Sequence, residues 1–359
     1  MNIKVPIPDK EYKVMVRCAT YNQSKYIWDA LNGFAIQETD FPFICIVVDD
    51  ASKDGNQEAI KQYANDNCNV SNAYVSDDDI SVYMRVPHKT NTNCVYLFCF
   101  LKVNLYRKQE KQEIYKPYRA VCEYEAICEG DDYWIDPLKL QKQVDFLEEK
   151  EECGMVFTDY KYLWEKNSLY QDSEFRCQFD NIKRMGVDVY PNCLFYGDFI
   201  KTCTVCLRKS IYDKALEFDS FLFSGYFPMG DTNLWFSVGC ISKIGIINEV
   251  TSIYRKCSSS ITLQKDKKKA REFSVRGLEL RMYFLRKHDA DFHVFFKKKI
   301  IERYEHAFLV AKLYDIPVLK FGKLSLKTKL LSQIIAMPYM RKIIIKILQI
   351  KEWLCSKVY

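Results

Sequence analysis

Apolar positions along the first half of the chain fall into short continuous runs, each followed by a stretch of helical periodicity. Lys13–Cys18 (KVMVRC) and Phe43–Val48 (FICIVV) are the first two runs. The second is apolar at every position, the pattern of a strand buried on both faces. Helical periodicity follows over about Ser24–Gln37 and Gln57–Ala64. Strand, helix, strand, helix in that order predicts an α/β fold with a doubly wound, mostly parallel sheet flanked by helices. Tyr124–Cys128 and Gly154–Phe157 read as further strands. Between them Pro137 opens a helix in which Leu140, Val144 and Leu147 make the buried stripe. Lys201–Leu207 reads as extended, Thr232–Val238 as helical, and Ile244–Tyr254 as a last strand. Beyond Leu263 the pattern becomes helical and charged, roughly over Lys265–Lys287 and Asp291–Tyr314.

Composition narrows the class. The 359 residues are 48% hydrophobic and include 25 Tyr and 23 Phe against 12 Gly and 10 Pro, which excludes a disordered or low-complexity chain. Met1–Lys10 is polar and lacks the apolar core of an export signal, so a cytoplasmic location is expected. The 15 cysteines are scattered, odd in number and mostly inside apolar runs, as Cys45 is; they read as reduced, buried, small hydrophobes. Cys203 and Cys206 have metal-like spacing but no second pair, and zinc is not expected there.

Charge divides the chain. From Phe321 onward eight basic residues stand against the single acid Glu352, so the rest is close to neutral. A nucleic-acid-binding body is excluded on charge. In the tail, Met340, Ile343, Ile344, Ile347, Leu348 and Leu354 form an apolar face beside Arg341, Lys342, Lys346 and Lys351. Two readings stand for this basic amphipathic helix: peripheral contact with an anionic membrane, or packing on the body. No apolar run reaches the ~20 residues needed to span a bilayer.

Candidate chemistry collects at the carboxyl ends of the predicted strands, where doubly wound sheets bind ligands. Thr20-Tyr21-Asn22 follows the first strand and Asp49-Asp50 the second; Glu129-Gly130-Asp131-Asp132-Tyr133-Trp134 follows the third. Two adjacent carboxylates after a buried strand are costly unless a cation compensates them. A divalent metal carrying a diphosphate is the economical partner, and flanking aromatic rings suit the C–H face of a sugar. The alternative for the acidic pair is a solvated turn at the head of the Pro137 helix. Asp49 or Asp50 either shapes the following turn or accepts hydrogen bonds from a ribose or pyrimidine. Asp231 reads locally as a helix cap, and Arg255 as a surface cation or a phosphate ligand. Asp77-Asp78-Asp79 reads as a solvated face.

Order and context are similar to the family 2 glycosyltransferases of the GT-A fold, in particular bacterial members that build surface polysaccharides. The segments VMVRCATYNQSKYI, VVDDASKDG, CEGDDYWIDPLKLQKQVDFLE and, more weakly, PMGDTNLW with YRKCSSSIT carry the resemblance. It implies that Thr20, Tyr21, Asn22, Asp49, Asp50 and Asp131 bind the nucleotide, with Tyr21 and Asp50 on the base, Asp49 supporting the turn and Asp131 on the ribose. Asp132 would hold Mn2+ or Mg2+, Tyr133 and Trp134 would meet acceptor or sugar, and Arg255 would close on the diphosphate. Asp231 matches the catalytic base of an inverting transfer from a nucleotide-sugar, a UDP-sugar by the family's habit. The acceptor implied is a saccharide or lipid-linked saccharide.

The expected organisation is a catalytic domain over 1–262, a helical extension over 263–320 and a basic tail over 321–359. Two departures from the pattern are visible. Residues 79 to 120 form a long basic and aromatic stretch in place of the usual donor-binding sequence, and Cys257 stands where many relatives have His. A nucleotidyltransferase would need a Gly-rich basic loop near the amino terminus, which is not present. A non-catalytic nucleotide-sugar-binding protein would use Asp231 only as a cap.

Overall fold

The computed structural model describes residues 4–106, 108, 110–173, 175–185, 192, 200–257, 266–288, 294–321 and 323–355. It separates into two compact units. One comprises Met1–Cys177, Asp198–Phe218 and Ser237–Ser258; the other comprises Gln178–Gly197, Asp219–Phe236 and Ser259–Tyr359.

In chain order the elements are β1 (Tyr12–Thr20), α1 (Ile27–Ala35), β2 (Phe43–Asp49), α2 (Asn56–Asn67), β3 (Tyr74–Asp77), β4 (Ser81–Pro87) and β5 (Cys94–Leu101). Then come α3 (Glu110–Val121), β6 (Cys122–Ile127), β7 (Tyr133–Trp134), α4 (Lys139–Glu149), β8 (Cys153–Trp164), β9 (Leu169–Asp172) and α5 (Phe175–Arg184). After them lie β10 (Val205–Arg208), α6 (Lys209–Phe218), α7 (Gly230–Ile241), β11 (Lys243–Lys256) and four helices: α8 (Lys267–Lys287), α9 (Val294–Tyr314), α10 (Leu326–Ala336) and α11 (Pro338–Cys355).

The first unit is built on one sheet ordered β3-β4-β5-β2-β1-β6-β10-β8-β11-β7, with β9 added on β8. β5, β2, β1 and β6 run parallel, as do β8 and β11, while β10 is antiparallel between β6 and β8. This is a mixed, mostly parallel sheet flanked by helices. Burial on both faces explains the continuous apolar runs. Along β2, Phe43, Cys45 and Val47 enter a core shared with α1, α2 and α4, whereas Ile44, Ile46 and Val48 enter the opposite core shared with α3. Alternation at period two sends successive side chains to opposite faces. In α4 the predicted stripe of Leu140, Val144 and Leu147 is buried, and so are Lys139 and Gln143.

Several predicted elements change in extent. The strand expected at Gly154–Phe157 continues to Trp164, because Tyr160, Tyr162 and Trp164 keep the period of two beyond the fully apolar run. The start of Lys201–Leu207 is not extended: Thr202–Thr204 makes a 3-10 turn before β10. Asp78 is more than a solvated acid. It accepts from the backbone N–H of Ile80 and Ser81 at 2.9 and 2.8 Å and from Lys4 N at 2.7 Å. These donors hold its carboxyl below the usual range although burial opposes them. The basic, aromatic stretch from 79 to 120 supplies β4, β5 and α3.

The second unit is helical. Asp266 caps α8 by accepting from Lys268 N and Lys269 N. Val275 of α8 packs with Ala307, Ala311 and Ile316. Arg276 pairs with the fully buried Glu279, which also accepts from Tyr226 Oη. Burial raises the Glu279 carboxyl above its usual range, an effect that Arg276 opposes. Ser325 caps α10, accepting from Thr328 N, and both hydroxyls meet Glu305 of α9. Among the described residues no helix is long and apolar enough to cross a membrane.

Candidate active site

Parallel pairing brings the carboxyl ends of β5, β2, β1 and β6 to one edge of the first unit's sheet, and the turns that follow them touch. Asp50 N donates to Thr20 O at 3.0 Å, and Gly130 N donates to Ala19 O at 3.1 Å. Asn22 and Ala51 both take positive φ (54° and 59°), which turns the chain sharply after each strand. Asn22 N donates to Ser52 Oγ and Lys53 N returns a bond to Asn22 Oδ1, each at 2.8 Å. Tyr21 is left exposed at this edge.

Asp49 is buried and fully engaged in the turn. Its carboxylate accepts from Ser52 N, Asn56 Nδ2 and Gln57 Nε2 at 3.0, 2.7 and 2.7 Å, and Asn56 Nδ2 also reaches Thr20 Oγ1. Asp50 is buried too. It accepts from Leu105 N at 2.5 Å and from Lys111 Nζ at 2.9 Å, while Asn104 Nδ2 donates to its carbonyl at 2.8 Å. Lys111 is a partner the sequence reading did not identify; it comes from the stretch that departs from the family pattern.

The acidic turn after β6 lies against β1 and β11. Gly130 is required by space: a Cβ there would fall 2.6 Å from Thr20 Oγ1 and 2.7 Å from Gln23 Oε1. Gly130→Ala is therefore expected to cost about 1–3 kcal/mol, the range for overpacking, read as a lower urea midpoint. An unchanged midpoint would show that the turn moves freely.

Asp132 is almost completely buried and accepts from Arg255 N at 2.8 Å. Burial, and then the charges of Asp131 and Glu129, push its carboxyl well above the ordinary range. Burial raises Asp131 as well, with Arg255 opposing. Thr202 Oγ1 donates to Glu129. Asp131 and Asp132, in a turn that resists their charge, make a place that a cation would relieve.

Arg255 is a brace. Nη1 donates to Asp131 O at 2.9 Å and Nη2 to Asp29 of α1 at 2.6 Å, and the guanidinium lies over the Tyr26 and Tyr133 rings at 4.6 and 5.2 Å. The sequence reading set it on a diphosphate; in this arrangement Asp29, Asp131 O and the two rings engage it. Cys257 is buried, its thiol pushed up to about 11 by burial and then by Asp131.

Tyr133 and Trp134 separate. Tyr133 is half-buried, its hydroxyl 3.0 Å from Tyr170 Oη. Trp134 belongs to the core, which corrects its assignment as a sugar-facing ring. Its indole N–H donates to Cys203 O at 2.8 Å, its ring meets Phe34 edge-on, and Lys139 Nζ lies 4.5 Å from its centre. Burial drives that lysine down to about 8. Lys139 of the Asp-Pro-x-Lys run thus packs against Trp134 in the core.

A second group was missed. Tyr160 and Tyr162 on β8 and Tyr254 on β11 surround Lys201, whose Nζ lies 5.7, 5.8 and 4.7 Å from the three rings. Burial, and then the charge of Asp132, raise the Tyr254 phenol above its ordinary range, so this group adjoins the acidic turn. The alternating Tyr-x-Tyr-x-Trp of β8 was its signal in the sequence.

Asp231 belongs to the second unit. It lies in the first turn of α7 rather than at its cap, and it accepts from Thr232 N at 2.7 Å.

A metal at the acidic turn fits in a limited sense. Among the described residues no three His, Cys, Asp or Glu side chains converge to hold one. What is present is the buried, charge-resisting Asp132, which suits an ion whose other ligands are diphosphate oxygens.

Residues 16–85 match the family model described as glycosyl transferase family 2. Uncharacterized proteins of Mycobacterium tuberculosis (Rv1520) and Mycobacterium bovis (Mb1547) are each 33% identical over 190 residues, covering 53% of this chain and 45% of theirs. The chain thus spans less than half the length of these relatives. Among solved structures, S. aureus TarS 1-349 in complex with UDP-GlcNAc aligns over 91% of this chain and 80% of its own, at 17% identity and a TM-score of 0.49. The mannosyltransferase PcManGT from Pyrobaculum calidifontis, in complex with GDP-Man and Mn2+, aligns over 94% and 84%, at 13% identity and 0.48. The matched segment runs from within β1 into β4 and carries the turns with Tyr21, Asp49 and Asp50, and over it the chain is similar to glycosyl transferase family 2.

Proposed function

We propose that this protein is an inverting glycosyltransferase that moves a sugar from a nucleotide-sugar, with a UDP-sugar as the first donor to test, to an acceptor hydroxyl. The observation that carries the reading is the acidic pair of half-buried Asp131 and buried Asp132, braced by Arg255 at the carboxyl edge of the sheet.

In this reading Tyr21 covers the nucleobase, and Asp50, oriented by Lys111, meets its edge. Asp131 contacts the ribose. Asp132 holds Mn2+ or Mg2+, which when bound supplies Lewis-acid stabilisation of the departing diphosphate. Arg255 keeps the backbone of the acidic turn in place through Asp131 O, and Tyr133 borders the sugar. Asp231 takes the proton of the acceptor hydroxyl. The acceptor class is a saccharide, with a lipid-linked saccharide at the inner face of a membrane as the specific form.

The test is a panel of UDP-, GDP- and dTDP-sugars incubated with purified protein and Mn2+ or Mg2+, with EDTA controls. Consumption of one donor with metal and its survival in EDTA is the expected result. Absence of metal-dependent binding to every donor would overturn the assignment. Asp231→Asn is expected to slow turnover by about 10²-fold while leaving donor affinity unchanged, since a general base acts in the transition state. Equal turnover in the variant would return Asp231 to a purely local role in α7.

A further inference from the structure

The second unit ends in two helices whose inner faces are accounted for and whose outer faces are not. On α10, Thr328 and Ile335 are buried, and Thr328 bonds to Glu305 of α9. On α11, Arg341 is tied to Asp315 and to Leu313 O. These contacts fix which side of each helix faces the unit. Leu326, Leu330, Ile334 and Met337 recur at spacings of four, four and three on the other side of α10, with exposures of 75, 52, 37 and 55%. Tyr339 and Ile347 are likewise exposed on α11. An apolar row at helical spacing facing water marks an interaction surface.

Charge selects the partner. From Ile316 to Lys351 the sequence has no acid. Lys320, Lys323, Lys327, Lys329, Lys342 and Lys346 are all exposed, and none meets a carboxylate among the described residues. A two-fold contact between copies through this face would set these cations against their own kind. An anionic surface with an apolar interior complements both features at once.

We infer that the outer face of α10 and the adjoining part of α11 form a docking surface for an anionic lipid bilayer, with Leu326, Leu330, Ile334 and Met337 entering the interface and the lysines at the headgroups. This goes beyond the transferase reading and does not depend on it. It also moves the expected contact from the last helix alone to α10.

The test is co-flotation of the full chain with phosphatidylcholine vesicles with and without phosphatidylglycerol. Binding to the anionic vesicles only, weakened by added salt, is expected. The double variant Leu330→Glu with Ile334→Glu should bind at least about tenfold less, through loss of insertion and added repulsion. Both positions are exposed, and circular dichroism checks that the variant folds. Should it not fold, Lys327→Gln with Lys329→Gln takes its place, with weaker anionic binding expected. Equal binding to neutral vesicles, no binding to either, or unchanged binding by the folded variants would overturn the inference. So would loss of self-association in the double variant with vesicle binding retained, which would make the row a protein contact.

Discussion

Asp132→Asn is expected to abolish sugar transfer while raising the melting temperature of the metal-free protein. The two effects have one cause. The carboxylate is buried beside Asp131 and Glu129, and its pKa is raised well above the ordinary 3.8 by burial and then by those charges. The folded state therefore holds its proton to higher pH than the unfolded state does. Stability falls as pH climbs from the ordinary carboxylate value toward the folded value, and the whole deficit is present above it. Asparagine keeps an acceptor for Arg255 N and removes the charge. In EDTA at neutral pH the variant should melt higher than the parent, and the difference should shrink on acidification. Added Mn2+ should raise the parent's melting temperature and leave the variant's unchanged. A variant that melts lower in EDTA would show that the carboxylate is a structural acceptor first.

Glu125→Gln carries the largest expected loss of stability. Glu125, on β6, is fully buried and accepts from Arg17 Nε at 2.7 Å and Arg119 Nε at 2.6 Å. Arg119 is itself buried, its guanidinium 4.3 Å from the centre of the Tyr212 ring. Neutralising the single anion leaves two guanidiniums facing each other beneath the sheet, and breaking such a buried network costs about 3–5 kcal/mol. Urea denaturation measures it, and a loss under about 1 kcal/mol would mean that water or another acid takes over. Replacing all three residues by apolar ones of similar volume should recover most of the loss, because no charge is then left unpaired.

These residues also show what the sequence made legible. β2 was readable because burial on both faces leaves a local trace, six apolar residues in a row. The acidic turn was readable because Asp-Asp followed by Tyr-Trp and Asp-Pro is dense and short. Pairings between distant segments leave no such trace. Lys111 meets Asp50 across 61 residues, and Arg17 meets Glu125 across 108. Nothing near either lysine or arginine marks it apart from the other cations. Trp134 was misplaced because an aromatic residue beside an acidic pair looks the same in sequence whether its ring faces solvent or the core. The group around Lys201 was missed for a different reason: the strand was ended where full hydrophobicity ended, although the alternation of Tyr160, Tyr162 and Trp164 continued.

The brace formed by Arg255 bears on how this protein is made. Its guanidinium joins the end of β11 to Asp29, 226 residues earlier, and to the turn after β6. A ribosome delivers the turns after β1 and β2 long before it delivers Arg255. Until that residue has left the exit tunnel, the acidic turn has neither its cation nor the backbone N–H that Asp132 accepts. The nascent chain must therefore carry an unfinished acidic edge until Arg255 emerges, and a fragment ending before that residue would have the sheet without this brace.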